Sequence, residues 1–383
     1  MESKNSKEEV LDKRIVDARE AAGFTIIKAA RKLGFKNYQT LSAIEKGARK
    51  INAHELIMIA RLYGRSLDYF LESDIAPDPV PLWRKMAKTD VNKVQRQFLS
   101  FLENYSNLEH LLGLKRQWKD IQKNYDRDDF SDNGFERADK LGADIHNFLD
   151  LGSRPSSNLL NVLENKFRFK ILHLPLRDGV SGASVVDNIL GVGILINAND
   201  APWRRNFDLA HELFHVISWN VFSSQEIGNG TIKTRPEKYA DIFASSLLLP
   251  ENHLLDSLKE TAANNEVRFI DIIELAKDFG VSTEAILWRL VNLKILKQSQ
   301  AQKVLDNQKF RDLDRSTRRK LYKGDRPSKF PSRFISLACR CLMEGKISRG
   351  TFAGYLEIDR AEIDDYLDEV GFVEETYAKI ATA

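Results

Sequence analysis

The segment from His211 to His215, with Glu212 after the first histidine, constrains this chain more than any other feature. Residues four apart lie on the same face of an α-helix, so the two imidazoles can face one metal ion while Glu212 lies beside them. In a chain of this composition the spacing would arise by chance roughly once in a hundred cases. The segment therefore indicates a metal site on a helix, and the neighbouring residues must supply the rest of that site.

The residues before this segment predict a strand, a turn and then the helix that carries the histidines. Val192–Asn197 is a short β-branched run that ends in a turn rich in Asn and Asp. A helix is expected from about Pro202, capped by Asn199 or Asp200. Its buried face is predicted from apolar side chains at helical spacing, namely Phe207, Ala210, Phe214 and Ile217. The histidines are thus expected on a partly buried helix beside a sheet.

A catalytic zinc site also needs a third protein ligand and an open position for water. Glu237 is the best candidate, because it opens a second segment of helical apolar periodicity that ends at Pro250. Its carboxylate would face the core, where an unpaired charge is costly unless it coordinates a metal. Asp241 could hold a ligating side chain in place, and Glu226 in the intervening loop is a weaker rival for the third position.

The two segments belong to a longer pattern that runs from Arg204 to His215 and continues from Glu237 to Pro250. Together they resemble the ImmA/IrrE family of zinc metallopeptidases, and the likeness extends from about residue 136 to residue 296. The resemblance implies a zincin-like α+β domain over residues 134–300. Two further strands, predicted over residues 169–176 and 183–187, agree with a small sheet. His173, which alternates within the first of them, is expected to be structural.

The same resemblance implies a role for each residue of the site. His211, His215 and Glu237 would bind Zn²⁺, and Glu212 would be the general base that takes a proton from water and passes it to the leaving amine. Many relatives have a second glutamate where Tyr239 stands, which leaves Glu237 as the only nearby glutamate able to ligate. The competing interpretation is a metal-free helix with two structurally satisfied histidines and a solvated glutamate.

The amino-terminal segment predicts a bundle of about five short helices. Between residues 11 and 72, amphipathic stretches each end at or near a glycine. This arrangement is similar to the lambda-repressor-like (Xre-type) helix-turn-helix domain. The resemblance implies that Thr25 caps the first helix of the motif, that Gly34 allows the turn, and that residues 37–46 form the recognition helix.

The expected contacts with double-stranded operator DNA lie on and around that helix. Base edges or phosphates could be reached by Lys36, Asn37, Tyr38, Gln39, Thr40 and Ser42, and the DNA backbone by Lys46, Arg49 and Lys50. Two departures from the family pattern bear on these contacts: Ile26 replaces the usual glutamine, and the turn after Gly34 is one residue longer. The alternative is a helical bundle that docks proteins, since the basic excess of this segment is modest.

The rest of the chain predicts a connector and a helical carboxy-terminal region. Prolines between Ile75 and Pro81 indicate a stiff linker, followed by spacer helices up to residue 133. Residues 301–383 hold a basic stretch and then an acidic one, for which solvated helix faces are the preferred interpretation. The alternatives are an assembly module or a single-stranded nucleic-acid surface over residues 309–333, with Phe310, Tyr322 and Phe330 available for stacking.

No apolar run is long enough to cross a membrane, and the chain opens with charged residues rather than a signal peptide, so a cytoplasmic protein is expected.

Cys339 and Cys341 are the only cysteines, and on a helix they would point to different faces, which argues against a mutual disulfide. The alternative for one of them is an inhibitory fourth zinc ligand.

The sequence therefore predicts a multidomain, mostly α-helical protein in which a DNA-binding regulator is fused to a zinc endopeptidase. The family resemblance implies a stress, prophage or toxin-antitoxin circuit, with a repressor-type or toxin-antitoxin protein as the substrate. A homodimer is compatible with this interpretation. The second hypothesis is a regulator or antitoxin-type protein without turnover, which uses the peptidase fold as a sensor or docking surface.

Overall fold

The computed structural model describes residues 2–21, 24–63, 67–71, 82–83, 88–114, 121, 125–130, 133–177, 180, 182–222, 224–227, 234–261, 267–321 and 325–372. The chain divides into two compact units, residues 1–79 with 87–107, and residues 80–86 with 108–383. The proline-rich connector predicted between Ile75 and Pro81 lies outside the described residues. Each unit is described by itself.

The amino-terminal unit is the predicted all-α bundle. Its helices are α1 (Glu2–Ala21), α2 (Ile26–Lys32), α3 (Tyr38–Glu45), α4 (Ala53–Tyr63) and α5 (Leu67–Leu71). The long helix α6 (Lys88–Leu111) follows, and its residues from 108 onward belong to the second unit. Thr25 caps α2 by accepting a hydrogen bond from the Lys28 amide, as predicted. Gly34 has a φ of 76°, so the turn between α2 and α3 uses the left-handed conformation that glycine adopts easily.

The core of this bundle joins α1, α3 and α4 through fully buried side chains that include Ile15, Ile44 and Ile59. An ion pair adds to this packing, because Arg19 Nε on α1 lies 2.7 Å from Glu45 Oε1 at the end of α3. The position of α3 is thus fixed on one side by apolar contacts and at its last residue by a partly buried charge pair.

The second unit is built around one small sheet. Its strands are β1 (Leu82–Trp83), β2 (Lys170–Leu174), β3 (Gly182–Asp187) and β4 (Gly191–Asn197), in the order β1-β3-β4-β2. β2 and β4 are parallel, whereas β3 is antiparallel to both β4 and β1. All seven residues of β4 are buried, which agrees with its central position and with its run of apolar residues.

The rest of the second unit is helical where the structure describes it. They are α7 (Gly134–Leu149), α8 (Pro155–Asn165), α9 (Pro202–Ile217), α10 (Ser224–Ile227), α11 (Arg235–Leu248), α12 (Glu251–Thr261), α13 (Phe269–Asp278), α14 (Thr283–Asn292), α15 (Gln298–Asp306), α16 (Gln308–Leu321), α17 (Ser332–Met343), α18 (Arg349–Leu356) and α19 (Ile363–Glu369), with 3-10 turns at Asp128–Phe130 and Arg360–Glu362. α9 packs between the sheet and α11, and α7 packs closely on α11. The predicted mixture of an all-α domain, a small-sheet α+β domain and a helical carboxy-terminal region is confirmed.

The predicted cap of α9 is wrong. The residue before the helix is Ala201, and its side chain has no acceptor. Asn199 is used elsewhere, because its side-chain amide donates to the Leu176 carbonyl at 3.0 Å. The Asp200 amide donates to the Asn197 carbonyl at 3.2 Å and so belongs to the preceding turn. The turn that leaves β4 therefore takes both residues that could have capped the helix.

Three buried charged residues join the carboxy-terminal region to the sheet. Glu109 in the last turn of α6 lies 3.1 Å from Lys170 Nζ on β2 and 2.6 Å from Arg333 Nη1 on α17. Each of the three is less than a tenth exposed. Buried charges of this kind must be paired, so removing any one would leave its partners uncompensated.

The alternative of a single-stranded nucleic-acid surface over residues 309–333 is wrong in its choice of stacking residues, as far as these residues are described. Phe310 is 2% exposed and packs edge-on against Phe269, and Phe330 is 9% exposed and packs against Phe334. Tyr322 lies outside the described residues. The two described aromatic residues of this stretch are thus buried and not available to stack on bases.

The two cysteines also belong to the core of α17. Cys339 and Cys341 are free and buried. Burial raises the pKa of Cys339 to about 11, which keeps its thiol protonated at neutral pH. Neither cysteine is part of the group of side chains that could hold a metal ion, so the inhibitory-thiolate alternative finds no support.

Within the described ranges, no helix is long and apolar enough to span a membrane.

Candidate metal centre

The two histidines of the motif lie on the buried face of α9. His211 and His215 are 0% and 1% exposed, and their Nε2 atoms are 3.1 Å apart. The carboxylate of Glu237 reaches them from the first turn of α11, with Oε1 at 3.1 Å from His215 Nε2 and Oε2 at 3.6 Å from His211 Nε2. Packing of α9 against α11 thus brings together the three side chains that the sequence proposed as ligands.

These distances fit a zinc ion. Ligand atoms on a tetrahedral zinc, with bonds of about 2.0–2.1 Å, lie about 3.3 Å from one another. One atom from each of the three residues lies within 4.8 Å of the other two, and all three residues are buried. Two imidazoles and one carboxylate form the ligand set of catalytic rather than structural zinc sites, because the fourth position remains for water or substrate.

Electrostatics within the cluster favour an ionised carboxylate. Burial of Glu237 alone would favour its protonated form, but interactions with His211 and His215 outweigh burial and hold the pKa of this carboxyl far below its usual range. An ionised Glu237 is the form that binds a metal. The cluster thus offers a negative charge to a cation without first having to lose a proton.

Asp241 orients one of the imidazoles. It lies one turn after Glu237 on α11, and its Oδ1 accepts a hydrogen bond from His211 Nδ1 at 3.0 Å. A proton fixed on Nδ1 leaves Nε2 of His211 with its lone pair directed at the cluster. The sequence had placed Asp241 in such a supporting role. His215 Nδ1 is buried and has no hydrogen-bond partner within the described part of the chain.

Glu212 is fully buried beside strand β3. A Cβ atom at Gly182, the first residue of β3, would lie 3.3 Å from Glu212 Oε1 and 2.7 Å from the Leu195 carbonyl oxygen. Only glycine fits at this position without moving the backbone of β4. Sequence reasoning missed Gly182. Its only signal is a glycine at the start of a strand, and which residue lies opposite that glycine depends on the register of the sheet.

Other residues near the motif are directed away from the cluster. Glu226, the rival third ligand, lies on α10 and pairs with Arg127. The hydroxyl of Tyr239 donates to the Phe130 carbonyl at 3.4 Å, in an aromatic cluster. Arg204 pairs with Asp208, and Arg205 pairs with Asp325. Tyr239 therefore replaces the second family glutamate with a packing residue.

The candidate DNA-contacting residues divide by what they contact. Lys36, Tyr38, Gln39, Lys46 and Lys50 are exposed, and Tyr38 has 46% of its surface accessible. Asn37 is also exposed, but its Oδ1 accepts from the Thr40 amide at 3.1 Å and caps α3. Arg49 Nη2 lies 2.8 Å from Glu55 Oε1 on α4. Thr40 and Ser42 are partly buried.

Two family models match the chain. Residues 167–291 match the peptidase M78 family, described as the IrrE N-terminal-like domain, and residues 15–70 match the helix-turn-helix family. No curated protein matches the chain. The first match includes His211, Glu212, His215 and Glu237, and the second includes α2, α3 and α4. The chain therefore joins an amino-terminal helix-turn-helix domain to a metallopeptidase-like domain of the ImmA/IrrE type.

Proposed function

We propose that this DNA-binding regulator is a zinc-dependent endopeptidase that cleaves a repressor-type or toxin-antitoxin partner in a stress or prophage circuit. The observation that carries the proposal is the buried cluster of His211, His215 and Glu237, with Glu212 buried next to His211 on α9. A buried group of two imidazoles and two carboxylates is costly without a cation, and its donor distances suit zinc.

Each residue has a distinct part in the proposed reaction. Zinc, when bound, would polarise the peptide carbonyl and make water easier to deprotonate. His211, His215 and Glu237 would hold it, and Asp241 would keep the His211 ring in its ligating orientation. Glu212 would accept a proton from the attacking water and return it to the nitrogen of the leaving amine. The first candidate substrate to test is the product of a neighbouring gene.

The test separates metal binding from catalysis with three variants. His211→Ala and Glu237→Ala should lose most of the roughly one zinc per chain, measured by mass spectrometry of the purified full-length protein. Glu212→Gln should keep the zinc and lose cleavage of the partner, because it removes a base and not a ligand. Glu226→Gln is the matched control, since this glutamate pairs with Arg127 outside the cluster.

Two results would contradict the proposal. Full zinc retention in both ligand variants would remove the metal assignment. Cleavage at the wild-type rate by Glu212→Gln would remove the mechanism. If the wild-type protein holds zinc and regulates transcription while its partner stays intact, the non-catalytic alternative is correct, in which the domain serves as a sensor or docking surface.

We further propose that α3 reads operator DNA through its exposed side chains. Gln39 is exposed on the first turn of α3, where a bidentate contact to a base edge can form. Gln39→Ala in the full-length protein should reduce the preference for its own promoter over random duplex by about 1–3 kcal/mol. Lys50→Ala should weaken both duplexes similarly, because phosphate contacts carry no sequence information.

The DNA prediction is checked by fluorescence anisotropy at several salt concentrations. Affinity should fall steeply with salt, since lysine and arginine release counterions from phosphates. Asn37→Ala is unsuitable as a contact variant, because it would remove the cap of α3 at a cost of about 1 kcal/mol. An absence of promoter preference at low salt would mean that the bundle docks proteins instead. A second copy of the chain is the proposed source of the additional contacts that a specific operator needs.

A further inference from the structure

An open cleft of about 1180 Å³ lies at the amino end of α9. It is lined by His173 on β2, by the first turn of α9, by α16 and by residues 325–329. We refer to it as the α9 cleft. The helix rise of 1.5 Å per residue puts the start of α9 about 14 Å from His211, so the cleft is distinct from the metal cluster.

The α9 cleft has an excess of positive charge. Its charged lining consists of Arg311, Arg315, Arg318, Arg326 and Lys329 against Asp200, Asp314 and Asp325. Two of the carboxylates are already paired, Asp314 with Arg318 at 2.6 Å and Asp325 with Arg205 at 3.0 Å. Of the positive groups, Lys329 is paired with Glu357, which does not line the cleft. Arg315 and Arg326 are exposed and have no carboxylate partner in the part of the chain that the structure describes. These two guanidiniums are therefore available to an anion.

The groups around these arginines add to this preference. α9 starts after Ala201 with neither a side-chain cap nor an acidic residue in its first turn, so its positive dipole end adds to the charge of the cleft, partly offset by Asp200 two residues before the helix. Burial lowers the pKa of His173 to about 4, so this side chain is neutral at pH 7 and leaves the charge of the cleft unchanged. The Trp203 ring lies 4.3 Å from the Arg318 guanidinium and forms a flat wall of the cleft.

We propose that the α9 cleft binds a phosphate-bearing small molecule of nucleotide size, with Arg315 and Arg326 contacting its phosphates. The volume of about 1180 Å³ is more than enough for one nucleotide, since ligand pockets are commonly 300–1,000 Å³. A single strand of nucleic acid fits less well, because such surfaces stack successive bases on exposed aromatic side chains. Phe310 and Phe330, the described aromatic residues of this basic stretch, are buried. Trp203 is the one Phe, Tyr or Trp residue among those that line the cleft, so a row of successive bases has no second ring to stack on.

The proposal is tested by calorimetry on the full-length protein with four probes: ATP, pyrophosphate, adenosine and a 20-nucleotide oligothymidylate. ATP and pyrophosphate should bind saturably, and adenosine should not. The double variant Arg315→Ala with Arg326→Ala should weaken ATP binding at least tenfold. Arg360→Ala is the matched control, because this arginine is exposed and does not line the cleft. Its affinity for ATP should equal that of the wild type.

Three results would overturn the proposal. One is the absence of saturable binding of both ATP and pyrophosphate to the wild-type protein. Another is ATP binding that the double variant leaves unchanged while its thermal midpoint stays that of the wild type. The third is oligothymidylate binding that is tighter than ATP binding and is lost in the double variant, which would assign the cleft to single-stranded nucleic acid. The experiment does not depend on peptidase activity, so its outcome is independent of whether the proposed function is correct.

Discussion

The buried carboxyl of Glu164 on α8 allows the stability of the second unit to be predicted as a function of pH. Glu164 has 5% of its surface exposed. Burial raises its pKa from 4.5 to about 7, although the positive charge of Arg333 acts in the opposite direction. A carboxyl in this position binds its proton more tightly in the folded than in the unfolded protein.

The sign and the size follow from linkage. Because the folded state holds the extra proton, the free energy of unfolding decreases as the pH rises from about 4.5 to about 7 and is constant above. One pKa unit corresponds to about 1.36 kcal/mol, so the shift corresponds to at most about 3 kcal/mol. Glu164→Gln cannot ionise, and we expect it to exceed the wild type in stability by up to about 3 kcal/mol at pH 8 and by little at pH 5.

The assay is urea denaturation of the full-length protein at pH 5, 6, 7 and 8, followed by circular dichroism. A chelator in every sample prevents metal binding from adding its own pH dependence. Glu260→Gln is the matched control, since this glutamate is exposed on α12 and should show no difference at any pH. A stability difference for Glu164→Gln that stays constant from pH 5 to pH 8 would refute the linkage argument.

Two further predictions concern the helices that hold the metal cluster. Asp241→Asn should lower zinc affinity by roughly 10–100-fold, measured by competition with a chromophoric chelator, because the His211 ring loses its charged acceptor; unchanged affinity would show that the ring is held by packing alone. Gly142→Ala should cost about 1–3 kcal/mol in chemical denaturation, because the new Cβ would lie 2.6 Å from the Phe243 carbonyl oxygen on α11. Gly354→Ala on α18, where the Cβ meets nothing within 4 Å, is its control and should be neutral or slightly stabilising; equal stability of the two variants would contradict the close approach of α7 to α11.

The sequence could predict those parts of the fold that have a local signal. β4 and α9 follow from a β-branched run and from helical apolar spacing, and the structure begins α9 at the predicted Pro202. Glu237 could be singled out because a carboxylate in line with an apolar stripe needs a partner. Each inference used residues close together in the chain.

The predictions that were wrong depend on contacts that residue type alone does not reveal. Asn199 and Asp200 are suitable caps by residue type, but the turn with Asn197 and the carbonyl of Leu176 compete for them. Phe310 and Phe330 lie among basic residues, yet each faces an aromatic partner, Phe269 or Phe334, and is buried. For Asn199 and Phe310 the deciding partners, Leu176 and Phe269, lie far away in the sequence. For Asp200 and Phe330 the partners Asn197 and Phe334 are close, but the turn and the burial that decide the outcome are not encoded by local composition.

The candidate metal cluster is positioned by two helices rather than by a loop. α9 supplies both imidazoles from one face, and α11 supplies Glu237 and, one turn later, Asp241, so one helix both ligates and orients. α11 is supported on its other side by α7, whose Gly142 permits contact with the backbone of Phe243. Ligands on packed helices keep their separation more accurately than ligands on loops. The distances between His211, His215 and Glu237 therefore depend on core packing that extends well beyond the three residues themselves.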